Sequence, residues 1–208
     1  MADIGHLYVI AAPSGTGKTT LVKALIEAVP KLMVSISHTT RAKRPDEVQS
    51  VHYHFVELTE FKKMIAHHDF LEYATIFDHY YGTSKRWVED TLAQGVDVIL
   101  EIDWQGHQQI KQLFPDALGI FVLPPSMQAL KERLLKRNQD RPDVIEKRLA
   151  DAKEAVSHLH EFDYLIINDD FTHALTDLKI IVESGRLLRS RQTAKFAALI
   201  ESLEAISE

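Results

Sequence analysis

The 208 residues include no cysteine, only 8 glycines and 7 prolines, and 2 tryptophans. Without cysteine there is no disulfide, thiolate nucleophile or zinc–thiolate site, and a reducing compartment fits. No apolar run approaches the ~20 residues of a membrane span. Met1-Ala2-Asp3-Ile4-Gly5 lacks the basic start of a secretory signal. The expectation is a cytoplasmic protein with no membrane partner. A net charge of −6 gives no broad positive surface for a nucleic-acid polymer. Internal repeats, low-complexity tracts and flexible linkers are also missing. What remains is a chain of 45% apolar and 26% charged residues, in the range of one or two globular domains.

With glycine so scarce, two in one short stretch stand out. Ala12-Pro13-Ser14-Gly15-Thr16-Gly17-Lys18-Thr19 follows the apolar run Leu7-Tyr8-Val9-Ile10-Ala11 and enters a helical pattern from Thr20 to Val29. That is the strand–loop–helix setting of a phosphate-binding loop. Gly15 and Gly17 let backbone N–H groups turn inward around a phosphate, and the helix N-terminus adds partial positive charge. Lys18 suits the β and γ phosphates of a bound nucleotide, and the Thr19 hydroxyl suits Mg²⁺. Ala12 stands where the G-x-x-x-x-G-K-[ST] pattern has its first glycine. A plain Gly/Ser turn that happens to hold a lysine is the bland alternative. It leaves the placing of Gly-Lys-Thr at the mouth of a helix unexplained.

Further strands are expected at Val34–Ser37, Tyr53–Val56, Phe70–Ala74, Tyr80–Thr83, Val96–Asp103, Leu118–Leu123 and Tyr164–Ile167. The near-continuous β-branched run at 96–103 reads as a buried parallel strand. Helices are expected from Glu60 to His67 behind a Thr59 cap, from Ser84 to Leu92, up to Phe114, from Ser126 to Arg137, and up to about His158. A last helix, about Thr193 to Ile206, carries Phe196, Leu199, Ile200 and Leu203 on one face, to pack on its own core or on a partner in a homo-oligomer. Alternating strands and helices predict an α/β fold with a doubly wound parallel sheet and ligands at the strands' C-terminal ends. Two segments break the rhythm. Residues 37–91 have short strands of their own, a small mixed α/β insertion, and residues 126–160 are two helices with a charged elbow. The core is then 1–36, 92–125 and 161–208.

Arg41 and Arg44, three apart in a polar loop, suit a phosphate, although a solvated basic loop would look the same. Asp103 ends the long apolar strand, where a carboxylate can hold the Mg²⁺ shell opposite the P-loop threonine. Glu101 projects to the same face. Asp103-Trp104-Gln105-Gly106 also matches the Asp-x-x-Gly of GTP-hydrolysing switches, but Asn168-Asp169-Asp170 lacks the lysine of their guanine motif. Arg133, Arg137 and Arg148, with Arg141 as a weaker candidate in the elbow, would stabilise charge on a transferring phosphoryl group. A salt-bridged exposed helix is the alternative. Eleven histidines, including His52-x-His54, His67-His68 and His158-x-His160, are expected at the surface, since zinc needs three or four ligands in one place.

On these residues the chain resembles the guanylate kinases, the nucleoside monophosphate kinases that convert GMP to GDP, over about residues 5 to 185. The most specific match is Thr39-Thr40-Arg41-x-x-Arg44-x-x-Glu47-x-x-Ser50-x-His52-Tyr53-x-Phe55. Tyr80-Tyr81-Gly82-Thr83, Glu101-Ile102-Asp103-x-Gln105-Gly106 and Tyr164-x-Ile166-x-Asn168 add to it. The resemblance implies that Ser37, Glu72, Thr83 and Asp103 surround the guanine. It implies that Arg41, Arg44, Tyr53 and Tyr81 hold the GMP phosphate. It puts Arg133, Arg137 and Arg148 on the ATP phosphates and Asn168 near the adenine end. It makes 37–91 the GMP-binding domain and 126–160 the lid. Its implied partners are ATP and GMP, with dGMP as a possible acceptor, and Mg²⁺ held by Thr19 and Asp103, partly through water. Ala12, Asn138 after Arg137, and Glu101 in place of a commoner Asp depart from the family pattern. Guanylate-kinase-like domains in some scaffolds are protein-interaction modules. Those typically lose the working P-loop, whereas Lys18, Thr19 and Asp103 are all present here.

Overall fold

The computed structural model describes residues 4–76, 78–136 and 142–205. Strand β1 (Leu7–Ala11) is buried along its whole length. It lies at the centre of a five-stranded, all-parallel sheet. The other members are β2 (Leu32–Val34), β7 (Asp97–Leu100), β8 (Leu118–Leu123) and β9 (Tyr164–Ile167), in the order β2-β7-β1-β8-β9. Side chains alternate along β1 as the pleat requires. Tyr8 and Ile10 face α1 (Lys18–Ala28) and α7 (Phe171–Gly185), meeting Leu21, Leu25, Leu178 and Val182. Leu7 and Val9 face α3 (Lys85–Ala93) and α4 (Trp104–Leu113), meeting Val88, Leu92 and Ile110. Each such fully buried side chain contributes roughly 1.5–3 kcal/mol. The two apolar layers fix the sheet edge where β1 and β7 end, and both phosphate-loop and carboxylate candidates lie there.

A second, four-stranded sheet is built from β3 (His38–Thr39), β4 (His54–Phe55), β5 (Phe70–Ile76) and β6 (His79–Ser84), in the order β4-β3-β6-β5. It is mixed: β3 and β4 run parallel, the other pairs antiparallel. Helix α2 (Leu58–Ala66) closes it with a buried Phe61, whose ring lies 4.5 Å from Phe70. A third unit, α5 (Met127–Lys136) and α6 (Pro142–Ser157), packs around Leu130, Leu134, Ile145 and Ala152. The chain ends in α8 (Arg189–Lys195) and α9 (Ala197–Glu204). Among the described residues no helix is long and apolar enough to cross a membrane.

Several expectations need correction. The second strand is Leu32–Val34 rather than Val34–Ser37; Ser35 still donates to Ile99 O at 2.9 Å, and the chain then leaves for the second sheet at His38. The 96–103 run is a strand only over Asp97–Leu100, because β2 stops at Val34 and leaves its last residues no partner on that side. Helix α1 begins at Lys18, directly after Gly17, and not at Thr20. Glu57, and not Thr59, occupies the cap position of α2, with no side-chain capping bond. The C-terminal helix is broken at Phe196 into two. Phe196, Leu199 and Leu203 remain 42%, 54% and 57% exposed, so that stripe does not pack on this chain's core. The histidines are not all at the surface. His107 is 1% exposed and stacks on Phe162 at 3.9 Å, a flat ring used as core, with its pKa held below the usual value by burial and by Lys111.

Candidate functional site

The loop after β1 wraps as its glycines dictate. Gly15 and Gly17 have φ of 93° and 100°, a region costly for any residue with a Cβ. Thr16 N donates to Pro13 O at 3.2 Å, closing the turn, and Gly17 is the N-cap of α1. Pro13 is buried, Ala12 packs on the core cluster around Tyr8, and Ser14 and Thr19 are exposed. Lys18 reaches across the sheet edge to donate to Ile102 O at 3.3 Å. Burial lowers the Lys18 pKa, while the carboxylates of Glu101 and Asp103 oppose that fall. The lysine is therefore held at the point where β1 and β7 both end, against two acids of the β7 loop.

The helical unit touches this loop directly. Arg133 of α5 donates from Nη1 to Thr16 O and from Nη2 to Asn168 O, both at 3.0 Å. Asn168 Nδ2 donates to the same Thr16 carbonyl at 2.7 Å. Leu130 and Leu134 pack so tightly that a Cβ on Gly15 would lie 2.8 Å from Leu134 Cδ2. Arg148 of α6 reaches Ser14 Oγ at 3.4 Å. Arg137, Asn138 and Arg141 lie outside the described residues. Beside this contact a cleft of about 430 Å³ is lined by Gly15, Thr16, Gly17, Thr20, Arg133, Lys136, Asn168, Asp169 and Phe171. Thr20, Lys136, Asp169 and Phe171 have no counterpart among the sequence candidates. Phe171, directly after Asn168-Asp169-Asp170, was the accessible signal: an aromatic beside a candidate base-binding asparagine.

On the opposite side, Arg41 forms a fork with Glu47: Nη2 to Oε1 at 2.6 Å and Nη1 to Oε2 at 3.0 Å. The Arg44 backbone N–H donates to the same Glu47 carboxylate at 2.8 Å, while the Arg44 side chain is exposed. Arg41 also lies 5.5 Å from the Tyr53 ring, and Tyr53 meets the Tyr81 ring edge-on at 5.9 Å. Burial, Tyr81 and Glu101 push the Tyr53 hydroxyl up to about 12, so it stays a neutral donor. Arg41, Tyr53 and Tyr81 thus come together. Glu47, part of the signature but without a role in it, holds the Arg41 guanidinium and the Arg44 backbone together.

Glu72 on β5 is 4% exposed. Thr83 of β6 donates its hydroxyl to Glu72 Oε1 at 2.6 Å. Burial raises the Glu72 carboxyl to about 7, against the Thr83 hydrogen bond and with help from Asp103. Ser37, half-buried, has its carbonyl bonded by His54 N at 2.9 Å. Asp103 is the N-cap of α4: Oδ1 accepts from Gly106 N at 3.0 Å and Oδ2 from Gln105 Nε2 at 3.1 Å. Glu101 Oε1 is buried with no hydrogen-bond partner among the described residues. Thr19, Asp103 and Glu101 are hard oxygen donors of the kind Mg²⁺ takes, and an unpaired buried carboxylate oxygen fits such an ion.

A parallel sheet in this order, with a Gly-Lys-Thr loop leaving its central strand and acids leaving the adjacent one, is a P-loop kinase fold. The family model for guanylate kinase matches residues 5–185. The chain belongs to the guanylate kinase family. It is 54% identical over 203 residues to a guanylate kinase of Saccharophagus degradans, covering 98% of this chain and 99% of that protein. It is also 54% identical over 199 residues to one of Pseudomonas fluorescens, covering 96% and 97%. Among solved structures, a guanylate kinase from Anaplasma phagocytophilum superposes with a TM-score of 0.78 at 29% identity, over 91% of this chain and 90% of that one.

Proposed function

We propose that this protein transfers the γ-phosphoryl group of ATP to GMP, giving ADP and GDP. The observation that carries the reading is the buried Glu72–Thr83 pair, set in the insertion that also holds Arg41 and facing the helix that begins at Asp103. Guanine offers N1–H and N2–H₂ side by side, and a carboxylate accepts both. Adenine offers neither at those positions. Glu72 takes these donors, with Thr83, Ser37 and Asp103 around the base. Arg41, Arg44, Tyr53 and Tyr81 hold the acceptor phosphate. The acceptor is already anionic, so no base is needed, and catalysis rests on positioning and electrostatics.

On the donor side, the loop from Ala12 to Thr19 cradles the ATP phosphates, and Asn168 with Phe171 lines the adenine end. Lys18, Arg133, Arg137 and Arg148 offset charge on the transferring group. Thr19 and Asp103, with Glu101 beside them, hold Mg²⁺. Held there, Mg²⁺ would supply positive charge to offset that of the phosphate oxygens. Residues 37–91 act as the GMP-binding domain, 126–160 as a lid over a core of 1–36, 92–125 and 161–208, and the closed state excludes water. The same acceptor site admits dGMP, because the contacts named are to base and phosphate. A coupled assay with Mg-ATP and GMP, CMP or AMP tests this. GDP formation from GMP alone is expected, and turnover of AMP at a comparable rate would overturn it.

A further inference from the structure

We propose that Gln109 of α4 is a positioning residue for base selection: it pins strand β5 so that Glu72 presents its carboxylate to the guanine. This deepens the reading of Glu72 above and rests on it.

Gln109 makes two hydrogen bonds to a single residue of the other unit. Tyr73 N donates to Gln109 Oε1 at 3.2 Å, and Gln109 Nε2 donates to Tyr73 O at 2.8 Å. The amide therefore does for Tyr73 what a neighbouring strand would do. It does so on β5, which is the outermost strand of its sheet and, among the described residues, has no ladder partner on that side. The register of β5 against β6 shifts between Phe70 and Glu72. An irregularity of this kind re-aims the side chain beside it. Glu72 is thus at the irregular position, and Tyr73, the next residue, is the one held.

Gly106 lies three residues before Gln109 and so on the same face of α4. A Cβ there would come within 2.7 Å of Glu72 Oε2. One residue of this face leaves room for the carboxylate, and the other fixes the backbone next to it. The helix itself is anchored by the Asp103 cap on Gly106 N at 3.0 Å. The base-reading carboxylate and the candidate metal carboxylate are therefore set against one element, and among the described residues the hydrogen bonds of Gln109 go to backbone alone, at Tyr73 and Gln105.

The test compares GMP with IMP, whose base lacks the N2 amine and offers a carboxylate one donor instead of two. In Gln109→Ala, KM for GMP should rise about tenfold, the loss expected from two ordinary hydrogen bonds. KM for ATP should stay unchanged, and the preference for GMP over IMP in kcat/KM should shrink. Gln109→Glu keeps the size but replaces the donor to Tyr73 O with an acceptor, so it should move the same ratio. It carries the measurement if the alanine variant does not fold. An equal rise in both KM values, or a lower melting temperature with an unchanged GMP:IMP ratio, overturns the proposal. Glu72→Gln is measured in parallel. If it loses discrimination and the Gln109 variants do not, only this inference falls. If Glu72→Gln also discriminates like the parent, the guanine pocket itself is misassigned and both fall.

Discussion

Thr83 and Glu72, on adjacent strands and both buried, share one hydrogen bond of 2.6 Å, with the threonine hydroxyl as donor. The bond favours the ionised carboxylate, yet burial outweighs it and leaves Glu72 titrating at about 7. The folded protein thus holds an acid whose charge is costly in its buried place.

The consequence for stability has a definite direction. Unfolded, Glu72 ionises near the usual 4.5; folded, near 7. Between those values the folded state binds more protons, so stability falls as pH rises through the window. The cost is complete above about 7, at about 3 kcal/mol. Glu72→Gln should therefore raise the melting temperature of the nucleotide-free protein at pH 8 and give little at pH 5. The Gln oxygen can still accept from Thr83. An equal gain at both pH values would mean that Glu72 does not titrate in this range.

Lys18 is expected to act on the transferring phosphoryl group and not on the fold. Among the described residues its ammonium bonds to Ile102 O at 3.3 Å, on a half-buried side chain. Lys18→Met should lower kcat at least ~10²-fold, as loss of one preorganised charge stabiliser does. The melting temperature should change little or rise, since burial disfavours the charge. Wild-type turnover in this variant would remove the P-loop assignment.

Glu47 should control acceptor affinity through Arg41. The pair is bidentate, and both side chains are 14% exposed. The same carboxylate holds the Arg44 backbone. Glu47→Gln keeps the shape and removes the charge. KM for GMP should rise about five- to tenfold, the scale of a partly buried charge-assisted pair, with KM for ATP unmoved. A fall in KM for GMP would instead mean that Glu47 masks Arg41 from the phosphate.

What could be read from the sequence was whatever has a local cause. Leu118–Leu123 and Tyr164–Ile167 match expectation residue for residue, because each is a short apolar run with clear stops. Ser84 caps α3 as its position suggests, accepting from Trp87 N at 3.4 Å. The phosphate loop was legible because left-handed backbone at Gly15 and Gly17 leaves a compositional trace. Asp103 showed its charge but not its cap, since three residues of context do not tell a metal acid from a helix-capping one. The Gln109–Tyr73 pin spans 36 positions and the Arg133–Thr16 bond 117, and no periodicity marks such partners. The break at Phe196 left no such mark: the apolar stripe of Phe196, Leu199, Ile200 and Leu203 starts at the break and runs along α9 alone, so its spacing says nothing of the polar α8 before it.

Arg133 separates two roles that the sequence could only merge. Its two Nη groups are each bonded to a backbone carbonyl, Thr16 O in the phosphate loop and Asn168 O after β9. Thr16 O also receives Asn168 Nδ2 at 2.7 Å, so the guanidinium and the amide together orient the peptide that follows Thr16. That peptide carries the Gly17 N–H, which faces the phosphates in a loop of this kind. Lysine preserves the charge but lacks a planar fork and cannot span both carbonyls. Arg133→Lys should thus raise KM for ATP about tenfold, the loss expected from one of the two backbone hydrogen bonds made by a charged donor, and lower the melting temperature, with KM for GMP unchanged. If charge on the phosphates were its whole contribution, Arg133→Lys would keep near-parental KM and stability, and only Arg133→Ala would fail. Steady-state kinetics and thermal melts on both variants decide between bracing and pure charge.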